Sequence, residues 1–169
     1  MEPLIAGDPA RLGPYALGRR LWVSGAITTF AAVGDGGPLF VDAWTTPEGP
    51  GGTGFERLLD VTSELPDSVP IPVDGGVDSG WAWIATRDGG EPTLATDVAA
   101  NGPLGHLLWH QLGRDLAAGI AAIHARGLTF GRLTAGDVIV RASGGEFRSV
   151  AALFAGLRGD RAAASPPLA

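Results

Sequence analysis

The chain has 169 residues, a net charge of -6 and no cysteine, and all 12 of its basic residues are arginine. The length suits one domain with its own core, and the missing cysteine and lysine exclude disulfides, thiolate nucleophiles, zinc–cysteine sites and any site built on a lysine amine. A negative chain with no basic run, no apolar run of about 20 residues and no signal-peptide pattern is expected to be cytoplasmic, with no nucleic-acid partner and no membrane segment.

Three strands are predicted near the start of the chain. Residues 1–14 contain two turn-forming dipeptides that end in proline, so we expect an extended leader there. Residues 15–33 predict two strands around a turn at Ser24-Gly25. Residues 38–44 predict a third strand after a glycine-rich turn.

A helix and a hairpin are predicted next. Apolar residues recur at helical spacing over 55–65, which predicts a helix of about three turns that a proline ends. Residues 69–77 and 81–86 predict two strands joined by a short turn, and the second strand places its two tryptophans on one face.

The second half of the chain is predicted to be mainly helical. Residues 94–100 predict a short helix. Leu112, Leu116, Ile120 and Ile123 then recur at intervals of three and four, which is typical of an amphipathic helix. A loop and a short apolar strand follow up to Val140.

Further along, residues 146–153 predict one more strand. His106 and His110 are four residues apart, as two metal ligands on a helix are, but no third ligand in a convincing motif accompanies them. We therefore predict no metal site.

The stretch from Ile123 to Val140 resembles the catalytic-loop region of bacterial Ser/Thr protein kinases. In that family a helix ends in Ile-His-x-x-Gly and leads to His-Arg-Asp-Leu-Lys-Pro-x-Asn and a strand. This chain has Ile-His-Ala-Arg-Gly, then Phe-Gly-Arg-Leu-Thr-Ala-Gly-Asp and a strand. The predicted elements from residue 15 to residue 154 also follow the family's order.

The resemblance implies an α+β fold. We expect a kinase-like small lobe, made of a five-stranded antiparallel sheet plus one helix, and then the first helices and short strands of a C-terminally truncated large lobe. The implied boundaries are an extended leader over 1–14, the N-lobe over 15–87, a partial C-lobe over 88–155 and a flexible tail over 156–169. The partial C-lobe would hold the long helix, a degenerate catalytic loop and a strand pair.

At the positions that handle phosphate in the family, this chain has other residues. In the order of strand lysine, helix glutamate, catalytic aspartate, metal-binding asparagine and metal-binding aspartate, they are Asp42, Leu58, Arg132, Asp137 and approximately Ala152. An arginine stays protonated and cannot serve as the catalytic base. A carboxylate at position 42 would repel the phosphates of a nucleotide.

The nucleotide-binding loop is degenerate in the same way. The family's three loop glycines correspond to Trp22, Ser24 and Ile27, with Gly25 between them, and bulky side chains there fill the space that a phosphate needs. The hinge corresponds to Thr86, Arg87 and Asp88, whose backbone could still bond an adenine ring. We expect no cofactor, no catalytic residue and little or no ATP binding.

The leading hypothesis is therefore a pseudokinase, a catalytically inactive kinase-like domain that acts in signalling as a protein-binding, regulatory module. Truncation would uncover one face of the long helix, so we expect a protein partner or a second copy of the chain there. The predicted interaction face is Leu108, Trp109, Leu112 and Leu116. Two alternatives stay open: an atypical nucleotide-binding Ser/Thr kinase-like enzyme, or the N-terminal regulatory part of a larger receptor-like protein.

Overall fold

An antiparallel sheet forms the first half of the chain. The computed structural model describes residues 2–24, 27–45, 60, 62–126, 133–142 and 144–149. Within them, six strands pair in the order β1-β2-β3-β4-β6-β5. Their bounds are β1 Arg11–Leu12, β2 Tyr15–Ser24, β3 Ile27–Gly34, β4 Gly37–Thr45, β5 Asp74–Asp78 and β6 Trp81–Arg87. The predicted helix over 55–65 falls mostly outside the described residues, and the predicted tail over 156–169 does so entirely.

The β5–β6 hairpin confirms the predicted turn and shortens one strand. Ser79 and Gly80 have φ angles of 51° and 80°, as a two-residue hairpin turn of the I′ type requires. The strand predicted over 69–77 begins only at Asp74. Pro70 and Pro72 explain the difference, because proline has no N–H to donate to a neighbouring strand.

The N-terminal segment, which was predicted to be an extended leader, pairs with the predicted antiparallel sheet and adds a two-residue strand to it. Glu2 pairs with Arg20 through two backbone hydrogen bonds of 2.9 and 3.1 Å, and β1 pairs with the start of β2. Leu12 is completely buried. Gly13 has a φ of +52°, and a Cβ at that position would collide with the ring of Trp83. The segment therefore contributes an apolar side chain to the core.

Among the described residues that follow the sheet are two helices and a second hairpin. They are α1 Leu94–Asn101, α2 His106–Ala125, a short 3₁₀ helix Ala135–Asp137, β7 Val138–Arg141 and β8 Gly144–Phe147. Strand β8 begins two residues before the strand predicted over 146–153 and ends at Phe147. Its residues pair with β7, from Gly144 opposite Arg141 to Phe147 opposite Val138.

Helix α2 packs closely on the rest of the chain. Its buried residues are Leu112, Gly119 and Ile123, which lie on one face at helical spacing. A Cβ at Gly119 would lie only 2.8 Å from Phe147 Cε2, so the glycine permits the close approach of helix and hairpin. Ile123 and Phe147 join a core cluster with residues of β4 and β6. The two halves of the chain therefore share a core.

The predicted interaction face on α2 is mostly covered, which corrects that expectation. Leu112 is buried, and Leu108 and Leu116 pack in the same cluster, against Val138 and Val140 of β7. Trp109 differs from these leucines, because 55% of its surface is exposed. In the described part of the chain, neither helix combines the length and the apolar composition that crossing a membrane requires.

Candidate functional site

Three positions that the sequence singled out meet at one arginine. Arg148 directly follows β8, and its side chain is only 3% exposed. Its Nη1 lies 3.3 Å from Oδ1 of Asp42, and its Nη2 lies 3.3 Å from Oδ1 of Asp137. Trp22 covers the guanidinium. We call these four residues the Arg148 site.

Asp42 enters the site from the middle of the sheet. Alternation along β4 places Phe40, Asp42 and Trp44 on one face. Thr29, directly opposite on β3, donates a hydrogen bond from Oγ1 to Asp42 Oδ1, and both residues are fully buried. Arg148 Nη1 lies 3.3 Å from this hydroxyl as well. A buried carboxylate needs such partners, because burial disfavours its charged form.

Asp137 is fixed by the loop that precedes β7. Its Oδ2 accepts hydrogen bonds from the backbone N (2.9 Å) and Oγ1 (2.7 Å) of Thr134, at the start of the 3₁₀ helix. This leaves Oδ1 for Arg148. The Arg148 Nε donates to the carbonyl of Gly136 at 3.2 Å, and its backbone N donates to the carbonyl of Asp137 at 2.8 Å. The loop thus holds both the carboxylate and the guanidinium.

Aromatic rings close the other side of the guanidinium. The Arg148 Cζ lies 3.6 Å from the centroid of the Trp22 ring and 5.7 Å from that of Phe40. The two rings pack on each other with their centroids 5.5 Å apart. A cation over an aromatic face is attracted by the ring quadrupole, most strongly for tryptophan. Trp22 therefore both stabilises the guanidinium and fills the space above it.

The Arg148 site is a closed ion-pair network. One guanidinium faces two carboxylates, so with all three groups ionised the net charge is -1. The nitrogens Nε, Nη1 and Nη2 of Arg148 each contact an oxygen of this chain. Such a network compensates only part of the charge of its carboxylates, and its cation is fully occupied.

The other predicted site residues do not belong to the Arg148 site, and two of them form hydrogen bonds with nearby backbone groups. Ser24 ends β2 and pairs with Ile27 at the start of β3. Thr86 is buried on β6, next to the exposed Arg87, whose Nη1 donates to Gly36 O at 2.9 Å. The Asp88 backbone N donates to Pro38 O at 3.0 Å, and its Oδ1 accepts from Gly90 N at 2.8 Å. Gly25, Leu58, Arg132 and Ala152 lie outside the described residues.

The described residues contain no group of three or more histidine, cysteine or acidic side chains that could hold a metal ion. His106 and His110 do meet, with their Nε2 atoms 2.9 Å apart on the exposed surface of α2.

Sequence analysis missed Arg148 and Thr29. Asp42 lies in an apolar strand, and a carboxylate in such a strand indicates a buried partner. That signal does not identify which of 12 arginines is the partner, because the contact joins residues 106 positions apart.

The chain is similar to one known protein in sequence and to another in structure. Over 149 residues the chain is 31% identical to the probable serine/threonine-protein kinase PkwA of Thermomonospora curvata, and the match covers 85% of this chain. The chain spans about a fifth of the length of that curated relative, since the match covers 20% of it. The crystal structure of Rad53 1-466 in complex with AMP-PNP matches with a TM-score of 0.64 and 15% identity, over 80% of this chain and 38% of that chain. No protein-family model matches.

Proposed function

We propose that this chain, which is a protein kinase-like domain with an α+β fold, acts as a protein-binding, regulatory module and transfers no phosphate. The fold and the kinase resemblance predicted from the sequence are confirmed by the two matches. The observation that carries the proposal is the position of Arg148, whose guanidinium lies among the residues at the phosphate-handling positions.

The charges of the Arg148 site oppose nucleotide binding. Phosphoryl transfer requires cations that neutralise the phosphates, usually a lysine and metal ions. Here the chain has no lysine, and the one guanidinium is bound by Asp42 and Asp137. A nucleotide that displaced Arg148 would leave buried carboxylates unpaired, at a cost of about 3–5 kcal/mol. That cost is comparable to the binding free energy of a ligand of about millimolar affinity.

The space above the guanidinium is filled as well. Glycines in a phosphate-binding loop let the backbone approach the phosphates. Trp22 places an indole at one of these positions and stacks on Arg148 at 3.6 Å. Both the charges of the Arg148 site and the indole above it thus oppose the entry of a nucleotide.

An exposed apolar surface supports the protein-binding part of the proposal. At the start of α2, Leu107 is 80% and Trp109 55% exposed. Trp109 also borders a cavity of about 450 Å³. The lining residues are Leu94, Ala95, Val98, Pro103, Leu104, Trp109 and Ala135. Exposed aromatic and aliphatic side chains beside such a cavity are typical of protein interfaces, in which a few anchors dominate the affinity.

A second candidate function is the binding of a small polar ligand without catalysis. Three buried polar atoms have no hydrogen-bond partner among the described residues: Asp42 Oδ2, Trp22 Nε1 and Thr86 Oγ1. Thr86 lies opposite Phe40, on the face of the sheet that carries Asp42. Buried polar atoms usually have partners, so two acceptors and a donor in this region favour a ligand with both kinds of group. An adenine base has such groups.

Calorimetry and thermal unfolding with ATP test both candidates. With ATP and either Mg²⁺ or Mn²⁺ at millimolar concentration, we expect no saturable heat and no change in Tm, and no phosphate transfer to a generic protein substrate. Saturable binding that requires the metal, or any phosphate transfer, would overturn the proposal. Adenosine binding without metal that is lost in Trp22→Leu would instead support the second candidate.

A further inference from the structure

A second charged region lies between α2 and the β7–β8 hairpin. It is a cavity of about 300 Å³ that shares no lining residue with the Arg148 site. Its lining residues are Pro66, Asp67, Ser68, Asp115, Ala118, Arg141, Gly144, Gly145 and Glu146. We call it the acidic cavity, because three of these side chains are carboxylic acids and one is basic.

The basic residue of the acidic cavity is already paired. Arg141 Nη2 lies 2.6 Å from Glu146 Oε2, and its Nε lies 3.6 Å from Oε1 of Glu91, which lies just outside the cavity. The carboxylates of Asp67 and Asp115 remain, and Asp115 Oδ2 accepts a hydrogen bond from Gly145 N at 3.3 Å. Arg114 approaches Asp115 only to 3.7 Å and is 75% exposed, so it compensates little of that charge. The cavity therefore carries an excess of negative charge.

Ser68 provides an independent indication of a ligand. It lines the cavity, its side chain is more than nine-tenths buried, and its Oγ has no hydrogen-bond partner among the described residues. Its backbone carbonyl is already used, since it accepts from Phe147 N at 2.7 Å. Leaving a buried hydroxyl unpaired destabilises the folded chain. An N–H group that reached this hydroxyl from the cavity would give it a partner.

Glu146 lines the cavity and has a raised pKa. Burial raises the pKa of Glu146, and the nearby carboxylates of Glu91 and Asp67 raise it further. The ion pair with Arg141 lowers the pKa but does not cancel the rise. A second cation near Glu146 would stabilise the ionised form of its carboxylate.

We infer that the acidic cavity accepts an arginine side chain from a partner protein, an inference that rests on the proposed protein-binding function. A metal ion is disfavoured, because in the described part of the chain no three carboxylates or histidines converge as ligands. The volume of about 300 Å³ suits a side chain better than an ion. A guanidinium is planar, carries five donors and can bond carboxylates and a hydroxyl together, whereas a lysine offers a single point charge.

The test uses N-acetyl-arginine methylamide as the probe and N-acetyl-citrulline methylamide as its uncharged isostere. Both are titrated into the full chain and followed by the amide NMR signals of Ser68, Gly144 and Gly145. The arginine probe should shift these signals in a saturable manner, and the citrulline probe should bind at least tenfold more weakly. An Asp67→Asn/Asp115→Asn variant, which keeps the hydrogen-bond acceptors, should also weaken arginine binding at least tenfold.

A steric variant separates the cavity from general attraction to a negative surface. Ala118 lines the cavity and is exposed, so Ala118→Trp should block it without changing any charge. Ala117→Trp, on the exposed neighbour that does not line the cavity, should bind the probe normally. No shifts, shifts spread over the whole surface, or equal binding by the two tryptophan variants would overturn the inference. A concentration-dependent dimer that Ala118→Trp abolishes would also overturn it, because the arginine would then come from a second copy.

The outcome for the cavity is independent of the outcome for the cleft. Nucleotide binding is measured at the Arg148 site, which shares no residue with the probe's site. If the arginine probe does not bind, the proposal that the chain transfers no phosphate is unaffected. If ATP binds, the result with the arginine probe is unaffected.

Discussion

Arg148 and Arg141 form the same kind of contact in opposite surroundings. Each guanidinium bridges two carboxylates: Arg148 lies between Asp42 and Asp137, and Arg141 between Glu91 and Glu146. The side chain of Arg148 is 3% exposed, whereas that of Arg141 is 45% exposed. Both arginines have two carboxylate partners, so the difference between the sites that matters most is access to water.

This difference decides what each arginine can do. Around a buried ion pair the dielectric constant is low, so removing one partner leaves a charge that water cannot reach. An exposed pair is screened by water and salt and can rearrange at little cost. We therefore expect Arg148 to fix the position of the sheet relative to the hairpin. Arg141 can shift when another cation enters the acidic cavity.

The largest expected effect separates the two arginines directly. Arg148→Met keeps an unbranched apolar side chain but leaves Asp42 unpaired, so we expect the free energy of unfolding to fall by about 3–5 kcal/mol. The matched change Arg141→Met should cost about 0–1 kcal/mol, because the guanidinium of that pair is 45% exposed and water can replace its contacts. Urea denaturation of both variants at pH 7 measures the two values.

A double variant tests whether the unpaired charge is the cause. Asp42→Asn keeps an acceptor for Thr29 Oγ1 and removes the charge, so Asp42→Asn/Arg148→Met should recover about 1–3 kcal/mol relative to the sum of the single changes. Equal losses in Arg148→Met and Arg141→Met would contradict the comparison. Strictly additive single changes would show that the two side chains do not stabilise each other.

Much of this architecture could be predicted from local patterns in the sequence. Strand alternation and turn residues located the hairpins, and helical spacing located α2. The motif frame also assigned Trp22, Asp42 and Asp137 to phosphate-handling positions, and the structure brings these three side chains together at Arg148. The predictions of strands and helices succeeded because each depends on residues close together in the chain.

Contacts between distant segments could not be predicted in this way. Nothing near Arg148 in the sequence indicates that its partner is Asp42, more than a hundred positions earlier. The burial of Leu12 depends on a sheet that forms later in the chain. The apolar face of α2 was expected to be open, but β7 covers most of it through Val138 and Val140. In each case the missing information was a tertiary contact between segments that are distant in the sequence.

An intermediate effect is expected at the aromatic cover of Arg148. Trp22→Leu keeps an apolar side chain but removes the ring face on which the guanidinium lies, 3.6 Å from the centroid. The loss of the cation–π contact and of some packing should lower the free energy of unfolding by about 1–2 kcal/mol. Urea denaturation at low and at high salt measures it, and a buried contact should be nearly insensitive to salt.

Trp109→Leu is the matched control for this change. Trp109 is exposed and makes no such contact with Arg148, so its replacement should alter stability by no more than about 0.5 kcal/mol. If both tryptophan variants lost the same stability, the effect at position 22 would reflect tryptophan removal in general and not the covered cation.

The smallest effect is expected in the acidic cavity and concerns pH. Because the pKa of Glu146 is raised in the folded state, this group favours folding fully below its unfolded pKa of about 4.3. That contribution is lost as the pH rises through the folded value, where the folded chain binds more protons than the unfolded chain. Glu146→Gln cannot titrate, so its stability relative to the natural chain should rise from pH 4 to pH 7, by less than the change at Trp22.

Arg141→Met tests the same linkage from the opposite side. Arg141 lowers the pKa of Glu146, so its removal should raise that pKa further and steepen the loss of stability with rising pH. Urea midpoints at four pH values between 4 and 7 would give the slopes for the natural chain and both variants. Parallel slopes for all three would mean that Glu146 is not short of positive charge. In that case Arg141 would already supply the positive charge that the acidic cavity needs.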